Sequence, residues 1–269
     1  MKIFISDLHL GDGSGSDDFH RTKSMFSFLD FVKKEADELI ILGDLFDLWQ
    51  AHIYRVLFAH SDLIKKIFSI RKNIEVTYVV GNHDYLPFAR LTDFDIGIKQ
   101  LYKDKEKKIV AEHGHKYDIF NRYSVSKIPL LQHPLGRHMS AAIGKMERAI
   151  HPDFDKWTKK AIKRFEKMLL HVKGVKGKVP PSTKEYLDRG GHFGEFEEAV
   201  KKHLKNGAKI VIFGHTHRAQ LERINGGIYA NCGAWVDEVE PTYVALGDER
   251  IELRNGLTHE CIKAMDLNE

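Results

Sequence analysis

The chain has very few cysteines, which limits both disulfide bonds and thiolate metal sites. Its 269 residues include two, Cys232 and Cys261, and these are not at a spacing typical of metal ligands. Two cysteines are also too few for a disulfide framework. We therefore predict ordinary reduced thiols and a fold stabilised by its core, for which an apolar share of 42% is sufficient.

Long apolar runs are also missing. No stretch approaches the ~18 consecutive apolar residues that a membrane-spanning helix needs. Met1 and Lys2 lead directly into apolar residues Ile3 to Ile5, which indicates a strand rather than a signal peptide. These features predict a cytoplasmic protein without a transmembrane anchor.

The excess of positive charge is small overall but large in one segment. The net charge is +4, yet Lys116 to Arg189 contain 17 Lys or Arg against 7 Asp or Glu. A segment with such an excess favours an anionic partner for the middle of the chain.

Strands and helices alternate along the first part of the chain and again after residue 192, which predicts a layered α/β fold. Turn residues separate three further strands in the tail, which suggests a second sheet packed on the first. The predicted helices are Thr22–Lys34, Tyr54–Ile70 and Phe196–Leu204. The predicted strands are Lys2–Ile5, Glu38–Leu42, Glu75–Val80, Lys107–Glu112, Ala208–Phe213, Gly227–Asn231, Thr242–Leu246 and Arg250–Leu253.

Residues 120–191 interrupt this alternation. Within them, His151 to Val172 has one apolar face and one face rich in lysine, which predicts an amphipathic helix. The prolines in Val179 to Ser182 are typical of a linker that returns to the core. We therefore predict a core of residues 1–119 and 192–269 with a basic helical cap inserted at 120–191.

Side chains of metal-ligand type follow five of the predicted strands. Taken singly, each has an ordinary alternative, because acidic residues after a strand commonly cap helices and Asn-His commonly forms a turn. Taken together they favour a ligand site, since ligands bind at the carboxyl ends of the strands in open α/β sheets. The residues are Asp7 and His9; Asp44 and Asp47; Asn82, His83 and Asp84; His113 and His115; and His215 and His217.

The types of donor restrict the choice of metal. Imidazole, carboxylate and amide oxygen without thiolate suit manganese, iron or zinc better than calcium or copper(I). Seven ligands drawn from these residues would exceed the needs of one ion. Two ions that share one carboxylate would use all seven ligands. Sites with two ions about 3.5–4 Å apart serve displacement at phosphorus. The sequence therefore predicts a two-metal phosphoesterase.

In this order the motifs resemble the signature of the calcineurin-like metallophosphoesterase superfamily: DxH, GDxxD, GNH(D/E), a lone histidine and GHxH. The resemblance covers the core and not the inserted segment. It implies a four-layer α/β sandwich, with two mixed β-sheets flanked by helices, and two divalent ions, manganese first and iron or zinc as alternatives. The implied ligands are Asp7, His9 and His217 for one ion, Asn82, His113 and His215 for the other, and Asp44 as the bridge.

The same resemblance implies roles for three further residues. His83 resembles the catalytic imidazole of the superfamily, Asp47 the carboxylate that orients it, and Asp84 a residue that supports the ligands. A hydroxide between the ions would attack phosphorus, while His83 stabilises charge and protonates the departing oxygen. This mechanism implies hydrolysis of a phosphodiester or pyrophosphate without a covalent intermediate.

A nearer resemblance is to the UDP-2,3-diacylglucosamine hydrolases, lipid A pathway enzymes that split a pyrophosphate and release UMP and a lipid sugar phosphate. It rests on four segments and on a basic helical cap inserted before the last metal motif. The segments are Ser6 to Leu10, Leu42 to Trp49, Gly214 to Arg218, and Gly233 to Trp235 after that motif. The sequence departs from that family at His83, where many members have arginine, and at His115, where they have aspartate. These departures leave the core reaction unaffected and the substrate open.

This family resemblance implies that the cap binds the substrate. Its apolar face would hold acyl chains, and its basic face would meet phosphates or an anionic membrane surface, which implies a peripheral location at the inner face of the membrane. Alternatively, Trp157, Phe165 and Leu169 only pack the cap on the core. Asn121 lies where that family contacts substrate, and we predict the same role here.

Two other functions remain open. The same site would serve a nuclease or cyclic nucleotide phosphodiesterase, with the basic helix along a nucleic acid backbone. That helix carries no recognised nucleic-acid motif, which argues against nucleic acid as the partner. A scaffold that keeps this fold without catalysis should lack metal ligands, and none of the predicted ligands is missing.

Overall fold

Two β-sheets form the framework of the residues that the computed structural model describes, which are 1–15, 17–48, 51–84, 97–117 and 193–269. The strands of these residues, in chain order, are β1 (Lys2–Ile5), β2 (Glu38–Leu42), β3 (Glu75–Val79), β4 (Gly97–Lys99), β5 (Tyr102–Asp104), β6 (Ile109–Ala111), β7 (Ile210–Phe213), β8 (Gln220–Ile224), β9 (Gly227–Asn231), β10 (Thr242–Leu246), β11 (Arg250–Asn255) and β12 (Cys261–Asp266). The helices are α1 (Thr22–Glu35), α2 (Ile53–Ala59), α3 (Ser61–Ile70) and α4 (Phe193–Lys205).

Both sheets are mixed. The seven-stranded sheet has the order β12-β11-β10-β1-β2-β3-β4, in which β1 to β4 are parallel and β10 to β12 are added antiparallel. The five-stranded sheet has the order β5-β6-β7-β9-β8, in which β6, β7 and β9 are parallel. Parallel neighbours end at the same edge, so each sheet brings several strand ends together.

Both faces of the seven-stranded sheet are buried at its centre, whereas its edge strand β12 is mostly exposed. Along β1, Ile3 and Ile5 belong to one hydrophobic cluster and Phe4 to another. The first cluster includes Phe28 of α1, whereas the second includes Ile212 of β7 and therefore lies between the sheets. Strands buried on both faces are apolar, which explains why β1 and β2 are apolar at every position after their charged first residues, Lys2 and Glu38.

Helix α4 covers the other face of the five-stranded sheet. The ring of Phe196 in α4 lies 5.9 Å from that of Phe213 in β7, while the neighbouring Ile212 packs between the sheets. Successive strand residues point to opposite faces, so α4 lies on the side away from the larger sheet. The layers therefore follow in the order helices, larger sheet, smaller sheet and helix. This order confirms the predicted four-layer α/β sandwich.

The predicted second sheet in the tail is wrong in its composition. Of the three predicted tail strands, β9 pairs with β7 and β8 in the smaller sheet, whereas β10 pairs with β1 and β11 with β10 in the larger one. All five residues of β10 are buried, which is expected of a strand that lies inside a sheet and not at its edge. The tail thus completes both sheets instead of forming one.

The predicted helix Tyr54–Ile70 is interrupted. His60 ends α2 and precedes α3, with non-helical dihedrals of φ −114° and ψ 23°. Its side chain is buried, and Nε2 lies 3.3 Å from Oδ2 of Asp17 in the loop after β1. Binding of this imidazole to the loop accompanies the break, which a helical pattern alone does not reveal.

The chain divides into two units, one formed by Met1–Arg122 and Glu195–Glu269 and the other by Tyr123–Gly194. The second unit lies almost entirely outside the described residues. The predicted cap at 120–191, its helix and its return linker therefore stay predictions. Among the described helices, none combines the length and the apolar character needed to cross a bilayer.

Replacing Phe28 with alanine should destabilise the fold strongly. Phe28 is 1% exposed, and its ring lies 4.7 Å from that of Trp235 and 5.2 Å from that of Tyr243. Loss of a buried phenyl ring typically lowers the free energy of unfolding by about 3–5 kcal/mol. Denaturant titration measures this change, and Ser27→Ala on the exposed side of α1 is the matched control, with an expected change within about 0.5 kcal/mol. Equal stability of both variants would contradict the packing described.

Candidate metal centre

All seven predicted metal ligands lie at one edge of the two sheets. Asp7 and His9 follow β1, Asp44 follows β2 and Asn82 follows β3, whereas the remaining three histidines follow β6 and β7. The sheets meet at this edge, because the backbone N–H of His215 donates to Oδ2 of Asp7 at 2.8 Å. The site is therefore built from strand ends of two sheets, not from one open sheet.

One cluster contains Asp7, His9 and His217, whose ligand-type atoms all lie within 4.8 Å of one another. Oδ1 of Asp7 is 3.3 Å from Nε2 of His217 and 3.7 Å from Nε2 of His9. The two imidazole Nε2 atoms are 3.2 Å apart. This grouping is the one that the superfamily resemblance implies for the first ion.

A second cluster contains Asp44, His113 and His215, again within 4.8 Å. Oδ2 of Asp44 is 3.0 Å from Nε2 of His113, and the same nitrogen is 3.0 Å from Oδ1 of Asn82. Nδ1 of His215 is 3.3 Å from Nε2 of His113. The four side chains correspond to the ligands implied for the second ion and its bridge.

Asp44 lies between the two clusters. Its Oδ2 is 3.0 Å from His113 in one cluster and 3.8 Å from His9 in the other. A single carboxylate can reach ions in both places, which is what a bridging ligand requires. The bridging role itself stays a prediction.

The donor set fits divalent cations. Oδ2 of Asp7 accepts hydrogen bonds from Ser6 and from the backbone of His215, whereas its buried Oδ1 accepts none from any described residue. The nearest groups to this oxygen are the imidazole nitrogens of His217 at 3.3 Å and His9 at 3.7 Å. A buried charged oxygen that accepts no hydrogen bond is costly. A cation beside His9 and His217 would bind it, and imidazole with carboxylate is suited to first-row transition metals.

Backbone strain is concentrated at this site. Left-handed φ angles of 50° to 69° occur at five of the seven predicted ligands. Each such residue other than glycine costs about 1–3 kcal/mol, and conformations of this kind cluster at functional sites. The five residues are Asp7, His9, Asp44, His215 and His217.

Two glycines of the motifs permit close approach rather than an unusual turn. A Cβ atom on Gly81 would lie 2.1 Å from Oδ1 of Asp44, and one on Gly214 would lie 1.8 Å from Oγ of Ser6. Neither distance is compatible with a side chain. Only glycine therefore lets the Asn82 and His215 loops pack against the loops that follow β1 and β2.

Carboxylates and imidazoles shift one another's pKa values here. Burial opposes the charged form of Asp7, but the charges of His113 and His217 hold its pKa well below the usual range. Burial likewise opposes protonation of His113, yet Asp44 and Asp7 raise its pKa to about 10. His9 shows the same balance, and its pKa is raised to about 9. The negative field that retains these protons is also the field that would attract cations.

His83 lies beside the clusters. Its Nδ1 is 2.9 Å from Oδ1 of Asp47, and its backbone N–H donates to Oδ1 of Asp44 at 2.9 Å. An ionised carboxylate only accepts, so Nδ1 of His83 is the donor in this contact. The orienting role implied for Asp47 stays a prediction. A nitrogen of His83 also lies within 4.8 Å of ligand-type atoms of His9 and Asp44. The geometry thus suits both the predicted proton donor and an additional ligand.

Asp84 braces the loops that carry the ligands. It is fully buried and accepts hydrogen bonds from the backbone N–H of Leu45 at 2.8 Å, that of Gly81 at 2.7 Å, and the hydroxyl of Tyr78. Burial and the nearby charge of Asp44 raise its pKa to about 6. These contacts join the ends of β2 and β3, and the supporting role implied for Asp84 stays a prediction.

Other residues of interest fall into two groups. Asn121, the predicted substrate contact, and Trp49 of the family resemblance lie outside the described residues. Asn231 and Ser6 contact the ligand loops, but sequence reasoning assigned them no role. A polar residue at the end of predicted strand Gly227–Asn231, two residues before a glycine, was the signal for Asn231.

Comparison with known proteins connects this site to a family. Residues 3–219 match the family described as Calcineurin-like phosphoesterase. Two curated relatives are named UDP-2,3-diacylglucosamine hydrolase. The one from Shewanella sp. (strain MR-4) is 34% identical over 91 residues, 34% of this chain and 36% of the relative. The one from Shewanella baltica (strain OS185) is 34% identical over 97 residues, 35% and 38% of the respective chains.

The matched part of the chain thus spans little more than a third of the length of these relatives. Among solved structures, the phosphoesterase Yfce from E. coli aligns with 99% of each chain covered, at 14% identity and a TM-score of 0.49.

Removal of divalent cations should lower the melting temperature. A cation present at about 100 times its Kd stabilises the folded state by about 2.7 kcal/mol, since the ligand set exists only after folding. Treatment with EDTA should therefore reduce Tm, and Mn²⁺ should restore it. Asp44→Asn should lose most of this difference, whereas Asp248→Asn, whose carboxylate is paired with Lys107 on the surface, should keep it. An unaltered protein with the same Tm in EDTA and in Mn²⁺ would contradict the fit to cations.

Proposed function

Because the chain belongs to the calcineurin-like phosphoesterase family, to which residues 3–219 match, we propose that it is a metal-dependent hydrolase of phosphodiester or pyrophosphate bonds. The observation that carries this proposal is the position of Asp44, within 4 Å of imidazoles in both clusters. Two divalent ions bound there would lower the pKa of a water molecule and neutralise charge on a phosphoryl group.

The side chains around the clusters have complementary tasks in this proposal. Asp7 and Asp44 would supply the negative charge that retains the cations, and the four ligand histidines with Asn82 would complete the coordination. Hydrolysis adds water across a P–O bond, so the departing oxygen needs a proton. His83 would donate it from Nε2, because Nδ1 faces Asp47 at 2.9 Å.

His83→Ala should lower turnover by about 10²–10⁴-fold while both metals stay bound, because its proposed role is proton transfer and charge stabilisation rather than ligation. The loss should be larger for a poor leaving group than for p-nitrophenolate, which needs no proton. Steady-state kinetics together with metal analysis measure both effects. Asp47→Asn, which keeps the shape but removes the orienting charge, should show a smaller loss of the same kind.

The matched control for His83 is His20→Ala. His20 forms a histidine–carboxylate pair of the same type with Asp237, at 2.6 Å but at the surface. Its removal should leave turnover unchanged. Loss of a metal from His83→Ala would instead make His83 a ligand, and normal turnover with a poor leaving group would remove it from the reaction.

The substrate that we propose is a UDP-linked acylated sugar, cleaved at the pyrophosphate to UMP and a lipid sugar phosphate. Two features support this choice: the name of the curated relatives, which match over about a third of the chain, and the Gly233 to Trp235 sequence after the last ligand motif. Manganese is the proposed ion, with iron or zinc as alternatives. The rivals are a nuclease or a cyclic nucleotide phosphodiesterase, which would use the same clusters.

A side-by-side assay separates these substrates. Metal-loaded protein is given UDP-2,3-diacylglucosamine, a cyclic nucleotide and single-stranded DNA at equal concentration. We expect release of UMP to be the fastest reaction by far. Faster cleavage of DNA or of the cyclic nucleotide would favour the rival, and metal-loaded protein inactive on all three would favour a scaffold.

The basic segment Lys116 to Arg189 adds a proposed contact with an anionic membrane surface. Each lysine near such a surface contributes about 1 kcal/mol, and salt screens this attraction. Binding to anionic vesicles should therefore weaken steeply as salt rises. Charge reversal at Lys156, Lys160, Lys163 and Lys167 should reduce vesicle binding and raise KM for the acylated substrate, but not for bis-p-nitrophenyl phosphate. Equal losses on both substrates, or none on either, would contradict the lipid contact.

A further inference from the structure

Asn231 is buried beside the loop that carries two of the predicted ligands. It is the last residue of β9 and pairs in register with Phe213, the last residue of β7. The chain leaves β7 directly into the loop Gly214 to His217. Asn231 is 0% exposed, so its amide must find its hydrogen-bond partners within the protein.

The amide of Asn231 holds this loop at two points. Its Nδ2 donates to the carbonyl of Gly214 at 2.8 Å and to the hydroxyl oxygen of Thr216 at 3.1 Å. A third contact, 3.3 Å long, reaches the hydroxyl of Tyr229, and Oδ1 accepts from the backbone N–H of Gly233 at 3.0 Å. A carbonyl accepts and an N–H donates, so the orientation of the amide follows from its partners.

These contacts lie on both sides of a strained ligand. His215 has φ 69° and His217 has φ 56°, both left-handed, and such conformations persist only where the surroundings hold them. Gly214 and Thr216 flank His215, and Thr216 also precedes His217. One amide therefore restrains the backbone that aims both imidazoles.

The two histidines belong to different clusters. His217 lies with Asp7 and His9, and His215 lies with Asp44 and His113. A change in the loop would consequently move one donor of each cluster at once. Each of the two histidine side chains, by contrast, belongs to only one of these two clusters.

From this geometry we infer that Asn231 is a positioning residue for both metal sites, acting through His215 and His217 without touching an ion. The inference rests on the proposed function, because it assumes that both clusters bind cations. Asn231 lies at the end of a sixth strand, β9, in addition to the five strands whose ends carry predicted ligands. Partners that orient ligands in this way typically account for about 10–100-fold in metal affinity.

The test is titration of metal-free protein with Mn²⁺ in the Asn231→Ala variant. Both ions should bind about 10–100-fold more weakly, and the absorption spectrum of Co²⁺-loaded protein should change. Thr242→Val is the matched control, since it also removes a buried polar group, one whose hydroxyl donates to the carbonyl of Cys232 at 2.7 Å and not to the ligand loop. It should bind both ions as the unaltered protein does.

Thr216→Val provides a second variant if Asn231→Ala does not fold. At this half-buried position it removes one of the two contacts of Asn231 with the loop, together with the 3.4 Å hydrogen bond that the hydroxyl accepts from the backbone N–H of Arg218. It should weaken both ions in the same direction by a few-fold. Unchanged affinity and an unchanged Co²⁺ spectrum in a folded Asn231→Ala or Thr216→Val protein would overturn the inference, as would weakening of one ion only.

The outcome also separates this inference from the proposed function. If the unaltered protein binds two Mn²⁺ ions and hydrolyses its substrate while Asn231→Ala binds them equally well, only the role of Asn231 fails. If the unaltered protein binds no divalent cation, the proposed function fails, and the positioning role fails with it.

Discussion

Two buried carboxylates, Asp7 and Asp44, lie where the two sheets meet, and a buried negative charge is stable only when positive groups or hydrogen bonds surround it. Asp7 accepts from the backbone of His215, which connects the end of β1 to the end of β7. Asp44 accepts from the backbone of His83 and contacts His113, which connects β2 to β3 and β6. The same two charges therefore assemble the strand ends and create the attraction for cations.

This arrangement is costly for the fold, and the rest of the structure offsets the cost. Five predicted ligands have left-handed backbones, and two glycines are required where loops approach within van der Waals contact. The strands that lead into these loops are almost entirely buried, with hydrophobic clusters on both faces of the larger sheet. A rigid frame of this kind can hold side chains in positions that they would not adopt alone.

Much of this architecture could be predicted from the sequence, because the buried parallel strands are largely apolar and most of them lead into a motif that contains glycine. β1, β2, β9 and β10 have the predicted bounds. The edge strands β4, β5, β8 and β12 were not predicted, since they are short or carry charged residues at solvent-facing positions. The break at His60 was missed because it accompanies a contact with Asp17, 43 residues away.

Ligand residues were easier to predict than the residues that hold them. Asp7 and His9, or His215 and His217, stand two apart after a strand, and together with the other strand-end motifs this spacing predicts metal binding. Asn231 gives only the weaker signal of a polar residue at a strand end. Its proposed role depends on β9 lying next to β7, a neighbour relation that local patterns do not contain. Ser6 is similar, since its closeness to Gly214 follows from the packing of one sheet on the other.

We propose that Asp44 joins two metal sites that act together. Stepwise addition of Mn²⁺ to metal-free protein, with bound metal and phosphodiester hydrolysis measured on the same samples, distinguishes a two-ion site from a one-ion site. Activity should depend on the second equivalent and stop rising at two ions per chain. Full activity with one ion per chain would show that the two sites do not act together.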